Sequence, residues 1–192
     1  ALQCVSNSEL DAPRFLVLFH FLPGHAPEGI GSLTAYFKAL GTIAAKCHLH
    51  VTKWKKPSPF ERLTWDIETV FGTSATWGDW RDAPGVSTKV QDTLETVEKH
   101  IRHRLEIYGK AKTRYNLIHA DMRLANLLVD QNGIRVIDFD DCGYGWFMYD
   151  FAAAISFVED DPRIPGCKSA WLDGYLKQRH LSAEDIQEID TF

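Results

Sequence analysis

Asp121, Asn126 and Asp138 are the residues whose types and spacing could act together chemically. The first two lie in His119-Ala120-Asp121-Met122-Arg123-Leu124-Ala125-Asn126, directly after the apolar pair Leu117-Ile118. A second apolar run, residues 134–137, delivers Asp138 and then Asp140 and Asp141. Phosphoryl transfer from a magnesium nucleotide calls for such a set: one carboxylate to orient an attacking hydroxyl, and an amide plus another carboxylate to hold the metal. Asp121 is the candidate for the hydroxyl proton, with Asn126 a neutral oxygen ligand and Asp138 an anionic one. Mg²⁺ prefers hard oxygens and takes only one or two protein carboxylates beside phosphate oxygens, which suits this inventory. Asp and Asn also populate turns for conformational reasons alone, so the argument rests on the ordered set and not on any one member.

The neighbours of these residues read as support. His119 is placed to brace the loop rather than to act as a base. Arg123 could touch phosphate or pair with a carboxylate. Asp140 stands among three carboxylates in four residues, which repel one another unless a cation is near. Asp150, at the entrance of the apolar run 147–158, is placed to pin the loop.

The elements that must position this set are legible in outline. Residues 14–22 read as a strand with Leu2 to Val5 as a partner, followed by a Gly/Pro-rich linker at 23–31. Ser32 is a candidate cap for a helix carrying Tyr36, Leu40, Ile43, Ala44 and Cys47. A weaker helix is expected over 60–71, then a loop over 72–85. Residues 86–108 form the longest periodic segment, with Ser87 as cap and Val90, Leu94, Val97, Ile101 and Leu105 on one face. Short strands are expected at 117–118 and 127–129, and Asn132-Gly133 signals a hairpin turn into 134–137. Helices follow at 147–158 and 169–178, and another from Ser182 with Asp185 three positions on. The spacing predicts an α+β chain: a small β portion before a mostly helical body.

Composition narrows the function classes. The 192 residues suffice for one domain with a real core, and 45% apolar with 24% charged is ordinary for a globular chain. A net charge of −5 without a dense Lys/Arg stripe argues against nucleic-acid binding. No apolar run approaches the roughly 20 residues that span a bilayer. Cys4, Cys47, Cys142 and Cys167 share no metal-like spacing and are expected to be reduced thiols in a cytoplasmic protein.

These motifs resemble the aminoglycoside phosphotransferase-like kinases, a superfamily that also contains choline kinases, type II homoserine kinases and bacterial stress response kinases. The loop from His119 to Asn126 matches the family's His-x-Asp-x-x-x-x-Asn, and Ile137-Asp138-Phe139-Asp140 its metal-binding motif. Residues 19–24 are similar to the hinge between the two lobes, 40–48 to the helix after it, and 143–152 to the segment ending in a helix-opening Asp. The resemblance implies a protein-kinase-like fold. Residues 1–24 would be the end of the N-terminal lobe and hinge, and 25–192 the helical catalytic lobe. It implies Asp121 as catalytic base, Asn126 and Asp138 as Mg²⁺ ligands, adenine at the backbone near His20 and Leu22, and Leu128 and Ile137 against the base.

The implied activity is ATP-dependent transfer of the γ-phosphate to a hydroxyl of a small molecule (aminoglycoside-, choline- or homoserine-like). A non-catalytic kinase-like binding module and a Ser/Thr protein kinase are the alternatives. One departure stands out: no Lys precedes Lys38, so the phosphate-pairing Lys of the N-terminal lobe is not supplied upstream of the hinge. The chain is accordingly expected to be the larger lobe of a longer kinase, or a natural remnant. By the same analogy Glu159, Asp160, Asp161 and Asp173 would line the acceptor cleft and favour a cationic acceptor. Trp65, Trp77, Trp80 and Trp146 could stack on it.

Overall fold

The computed structural model describes residues 2–8, 11–27 and 33–192. In chain order the elements are β1 (Leu2–Val5), β2 (Arg14–Val17), α1 (Leu33–Lys53), β3 (Leu63–Thr64), α2 (Ile67–Phe71), α3 (Thr88–Tyr108), β4 (Tyr115–Ile118), β5 (Leu127–Asp130), β6 (Gly133–Val136), β7 (Gly143–Trp146), α4 (Tyr149–Ile155), α5 (Ile164–Leu176) and α6 (Ala183–Glu188). Short 3₁₀ turns occupy Trp80–Asp82, Leu124–Asn126 and Ile189–Thr191. The expected α+β architecture is present as three small sheets around a helical body: β1-β2, β3-β7-β4 and β5-β6.

The core is built on α1 against α5. Leu33, Phe37, Leu40, Ala44 and His48 recur at helical spacing on the buried face of α1. Two glycines let the helices approach closely. A Cβ on Gly41 would lie 1.9 Å from the Trp171 carbonyl oxygen, and one on Gly174 would lie 1.9 Å from that of Lys38. The Thr42 hydroxyl spans the gap to the Gly174 carbonyl at 3.2 Å. Aromatic rings fill the space beside them: Trp171 stacks on Tyr175 at 4.8 Å, and Phe151 meets Trp171 edge-on at 5.7 Å.

Several expectations are corrected. The strand over 14–22 ends at Val17, and residues 18–24 run on without a strand partner. The helix over 60–71 is instead β3 followed by α2. Asp66 separates them by accepting the N–H groups of Glu68 and Thr69 in a capping box. Strand β7 was not expected, because Gly143 and Gly145, poor strand formers, interrupt Tyr144 and Trp146. Close packing demands its glycines: a Cβ at Gly143 would sit 2.6 Å from the Leu63 carbonyl oxygen, and one at Gly145 would sit 2.5 Å from Ile118 Cδ1. Ser87 caps α3 as expected, yet the stripe Val90, Leu94 and Val97 is exposed, and only Glu98, Leu105 and Tyr108 of that helix are buried. Polar bonds tie its middle to the body, with Glu98 accepting from Trp80, Arg81 and Arg102. Ser182 and Asp185 form the capping box of α6. The proposed Ser32 cap lies outside the described residues.

The β5-β6 hairpin pairs Leu127 with Val136 and Leu128 with Arg135. An isolated bridge joins it to the chain after β2. His25 donates to the Val129 carbonyl (3.1 Å) and accepts from the Val129 N–H (2.8 Å). The missing side chain at Gly24 permits this approach, since a Cβ there would meet Leu128 Cβ at 3.0 Å. Arg135 reinforces it by donating to the Pro23 carbonyl at 3.2 Å.

Candidate active site

Strand β4 leads straight into the loop His119–Asn126, whose form is set by a buried carboxylate. Asp150 is fully buried at the start of α4 and accepts the backbone N–H of Ala120 (2.8 Å) and of His119 (3.3 Å). Those bonds hold Ala120 at φ 66°, a left-handed conformation that costs a non-glycine residue about 1–2 kcal/mol. The turn aims Asp121 outward. His119 is itself buried; its Nδ1 accepts from the Asp121 N–H at 3.3 Å and its Nε2 donates to the Ile137 carbonyl at 3.2 Å. A ring committed at both nitrogens ties the loop to the end of β6.

The Asp121 carboxylate remains partly accessible. It accepts from Arg123 Nε at 2.9 and 3.2 Å and from Asn126 Nδ2 at 2.6 Å. Asn126 also donates to the Asp121 carbonyl at 2.9 Å. Its amide nitrogen is therefore used on Asp121, and its oxygen is the end left for a cation. The Asn126 carbonyl accepts from the Ile137 N–H at 3.0 Å, so Asp138 follows immediately beside it. Asp138 is exposed at φ 66°, and its Oδ1 receives only a long bond, 3.4 Å, from the Asp140 N–H. Asp140 is exposed. Two oxygen-bearing side chains suit a cation that completes its shell with phosphate and water. Among the described residues no group of three His, Cys, Asp or Glu could hold a metal.

The remaining candidates are more dispersed. Leu128 and Ile137 are half-buried on the hairpin. His20 and Leu22 are exposed on the segment leading to the Gly24–His25 bridge. The tryptophan set divides: Trp65 and Trp146 are core, Trp80 binds Glu98, and exposed Trp77 stacks on Trp65 at 6.1 Å. A cleft of about 210 Å³ opens between Trp65, Ile101, Trp146, Tyr149 and Phe192. Tyr149 connects it with the loop: burial raises the phenol pKa, and the carboxylates of Asp150, Asp141 and Asp121 raise it further.

A buried relay behind the loop was not anticipated. Arg179 donates to the Tyr175 hydroxyl (2.9 Å), Tyr175 bonds His48 Nδ1 (2.8 Å), and His48 Nε2 bonds Asp150 (2.9 Å). Burial lowers the His48 pKa despite the Asp150 carboxylate. A neutral ring then orders the relay, with Tyr175 donating to Nδ1 and Nε2–H donating to Asp150. The signal in the sequence was a histidine placed four residues after Ala44 on the buried stripe of α1. Its contacts with Asp150 and Tyr175 occupy both nitrogens.

Residues 4–189 match the family described as "Phosphotransferase enzyme family". The chain belongs to this family. It is similar to amicoumacin kinase of Bacillus subtilis (strain 168), with 29% identity over 187 residues, covering 92% of this chain and 53% of that protein. Among solved structures it is similar to a microcompartment-associated aminopropanol kinase, with 40% identity and a TM-score of 0.88, covering 99% of this chain and 59% of that one. An amicoumacin kinase in complex with AMP-PNP, Ca²⁺ and Ami shares the fold, with TM-score 0.73 at 19% identity and coverage of 99% and 57%. The chain thus spans little more than half the length of these relatives. Its α+β fold is that of kinase-like phosphotransferases. Among the described residues no helix is long and apolar enough to cross a membrane.

Proposed function

We propose that the protein acts as an ATP-dependent, Mg²⁺-requiring phosphotransferase on the hydroxyl of a small amino alcohol. It would work in the cytoplasm, with residues 1–24 serving as the end of a nucleotide-binding lobe and hinge. The observation that carries the reading is the bond from Asn126 to Asp121. One amide nitrogen fixes the carboxylate that would receive the hydroxyl proton and leaves the amide oxygen for a cation, while the Asn126 backbone carbonyl accepts from the Ile137 N–H, one residue before Asp138. The amino-alcohol class is suggested by the 40%-identical relative named as an aminopropanol kinase.

In this reading Asp121 orients the acceptor hydroxyl and takes its proton as the oxygen–phosphorus bond forms and the bond from the γ-phosphorus to the β–γ bridging oxygen breaks, with ADP leaving. Arg123 and Asn126 keep the carboxylate aimed. Asn126 Oδ1 and Asp138 would hold the cation, which when bound neutralises charge on the nucleotide phosphates. Backbone near His20 and Leu22, with Leu128 and Ile137, would receive the base. Much of the rate gain would come from positioning, because the pinned loop needs little rearrangement at the moment of reaction.

The test is a coupled ATPase assay on the full-length protein with a panel of amino alcohols, comparing Asp121→Ala with wild type. Turnover is expected to fall by about 10²–10⁴-fold, the usual worth of a positioned acid–base group, with nucleotide affinity unchanged. Unaltered turnover would remove Asp121 from the role assigned to it.

A further inference from the structure

The loop that follows Asp138 is held by groups outside the catalytic motifs. Arg62 Nε donates to the Cys142 carbonyl at 2.6 Å, and its Nη2 donates to the carbonyls of Asp140 (2.5 Å) and Phe139 (3.2 Å). The indole N–H of Trp65 takes the fourth carbonyl, that of Asp141, at 2.7 Å. Two side chains therefore gather every carbonyl from 139 to 142, in a segment carrying Asp138, Asp140 and Asp141. Converging carbonyl dipoles beside three carboxylates repel one another, and a guanidinium with no ion-pair partner among the described residues answers both.

The donors are in place because β3 is. Arg62 immediately precedes that strand and Trp65 immediately follows it. Leu63 and Thr64 pair in parallel with Gly143 and Tyr144 of β7, which begins one residue beyond Cys142. The register of β3 on β7 thus sets the clamp directly over the loop. The loop's own bonds are a turn bond from the Cys142 N–H to the Phe139 carbonyl at 3.1 Å and, on the Asp138 side chain in its left-handed conformation, one 3.4 Å contact from the Asp140 N–H.

We infer that Arg62 is a positioning residue for the cation site, holding the 139–142 backbone so that Asp138 is presented beside Asn126. This rests on the reading of Asp138 as a metal ligand. Lysine cannot substitute, since one ammonium lacks the planar fork that reaches from Cys142 to Phe139.

The test measures Mn²⁺ binding by electron paramagnetic resonance, with a non-hydrolysable ATP analogue, in the full-length protein and in Arg62→Gln, Arg62→Lys and Asp138→Asn. Both Arg62 variants are expected to bind Mn²⁺ about ten-fold more weakly, ~1.4 kcal/mol. KM for metal-nucleotide should rise in parallel and KM for the acceptor should not. Should Arg62→Gln fail to fold, Arg62→Lys, which keeps charge and bulk, carries the same expectation. Wild-type Mn²⁺ affinity in Arg62→Lys, with affinity lost in Asp138→Asn, would overturn the role of Arg62 and leave the site reading intact. Unchanged affinity in Asp138→Asn would overturn the site reading itself, and this inference with it.

Discussion

His48 stands between the structural and the chemical parts of the molecule. It stacks on Phe147 at 4.2 Å and passes the order of the Arg179–Tyr175 pair to Asp150, which fixes the two backbone N–H groups before Asp121. Burial keeps its pKa below the usual 6.5, so the unfolded chain binds a proton that the folded one refuses. The stability that follows is complete above about pH 6.5 and declines as the pH falls through that value. Thermal unfolding of wild type and His48→Phe between mildly acid and neutral pH should show this slope in the wild type and not in the variant. Loss of the donor to Asp150 should also lower stability at neutral pH by about 1–3 kcal/mol, the cost of an unsatisfied buried acceptor. If His48→Phe kept both the slope and the stability, the relay would be incidental. Phe157, at φ 72° and 84% exposed beneath the Arg123 guanidinium, joins Ala120 and Asp138 as a non-glycine residue in the left-handed region.

At the scale of elements, the contact of α1 with α5 shows how packing overrides propensity. Alanine is a better helix former than glycine by about 1 kcal/mol. Gly174→Ala should nevertheless destabilise the protein by about 1–3 kcal/mol, because its Cβ would fall on the Lys38 carbonyl and force the helices apart. Chemical denaturation of the variant checks the sign, and a stabilised variant would contradict the packing described. The same competition explains which elements were legible in the sequence. Helices α1, α3 and α6 announce themselves by period or cap, and the β5-β6 hairpin by Asn132-Gly133. Strands β3 and β7 do not, because a two-residue segment and a Gly-x-Gly-Trp run become strands only by long-range pairing, β3 on β7 and β7 between β3 and β4. The exposed stripe of α3 marks the limit of periodicity, which finds an apolar face without saying what covers it.

Across the whole molecule, the local motif was easier to read than its long-range support. Asp121, Asn126 and Asp138 lie close in sequence, so spacing alone nominates them, and Asp150 is nominated by its place at the entrance of an apolar run. Trp65 and Arg62 reach the loop after Asp138 across 76 and 80 residues, His48 reaches Asp150 across 102, and Tyr175 reaches His48 across 127, separations at which spacing carries no information. The chain as a whole offers a further test of nucleotide binding. A ligand bound only by the folded form stabilises it by about 2.7 kcal/mol at a hundred times its dissociation constant. Saturating Mg-ATP should therefore raise the melting temperature of the full-length protein, and Asp138→Asn should abolish the rise. The clamp of Trp65 has one more consequence. Its indole N–H is bonded to the loop beside Asp138 while its ring lies against Trp77, whose outer face is open to solvent. Movement of that loop alters the electronic surroundings of a coupled indole pair, so the protein carries an intrinsic fluorescent reporter beside the proposed cation site.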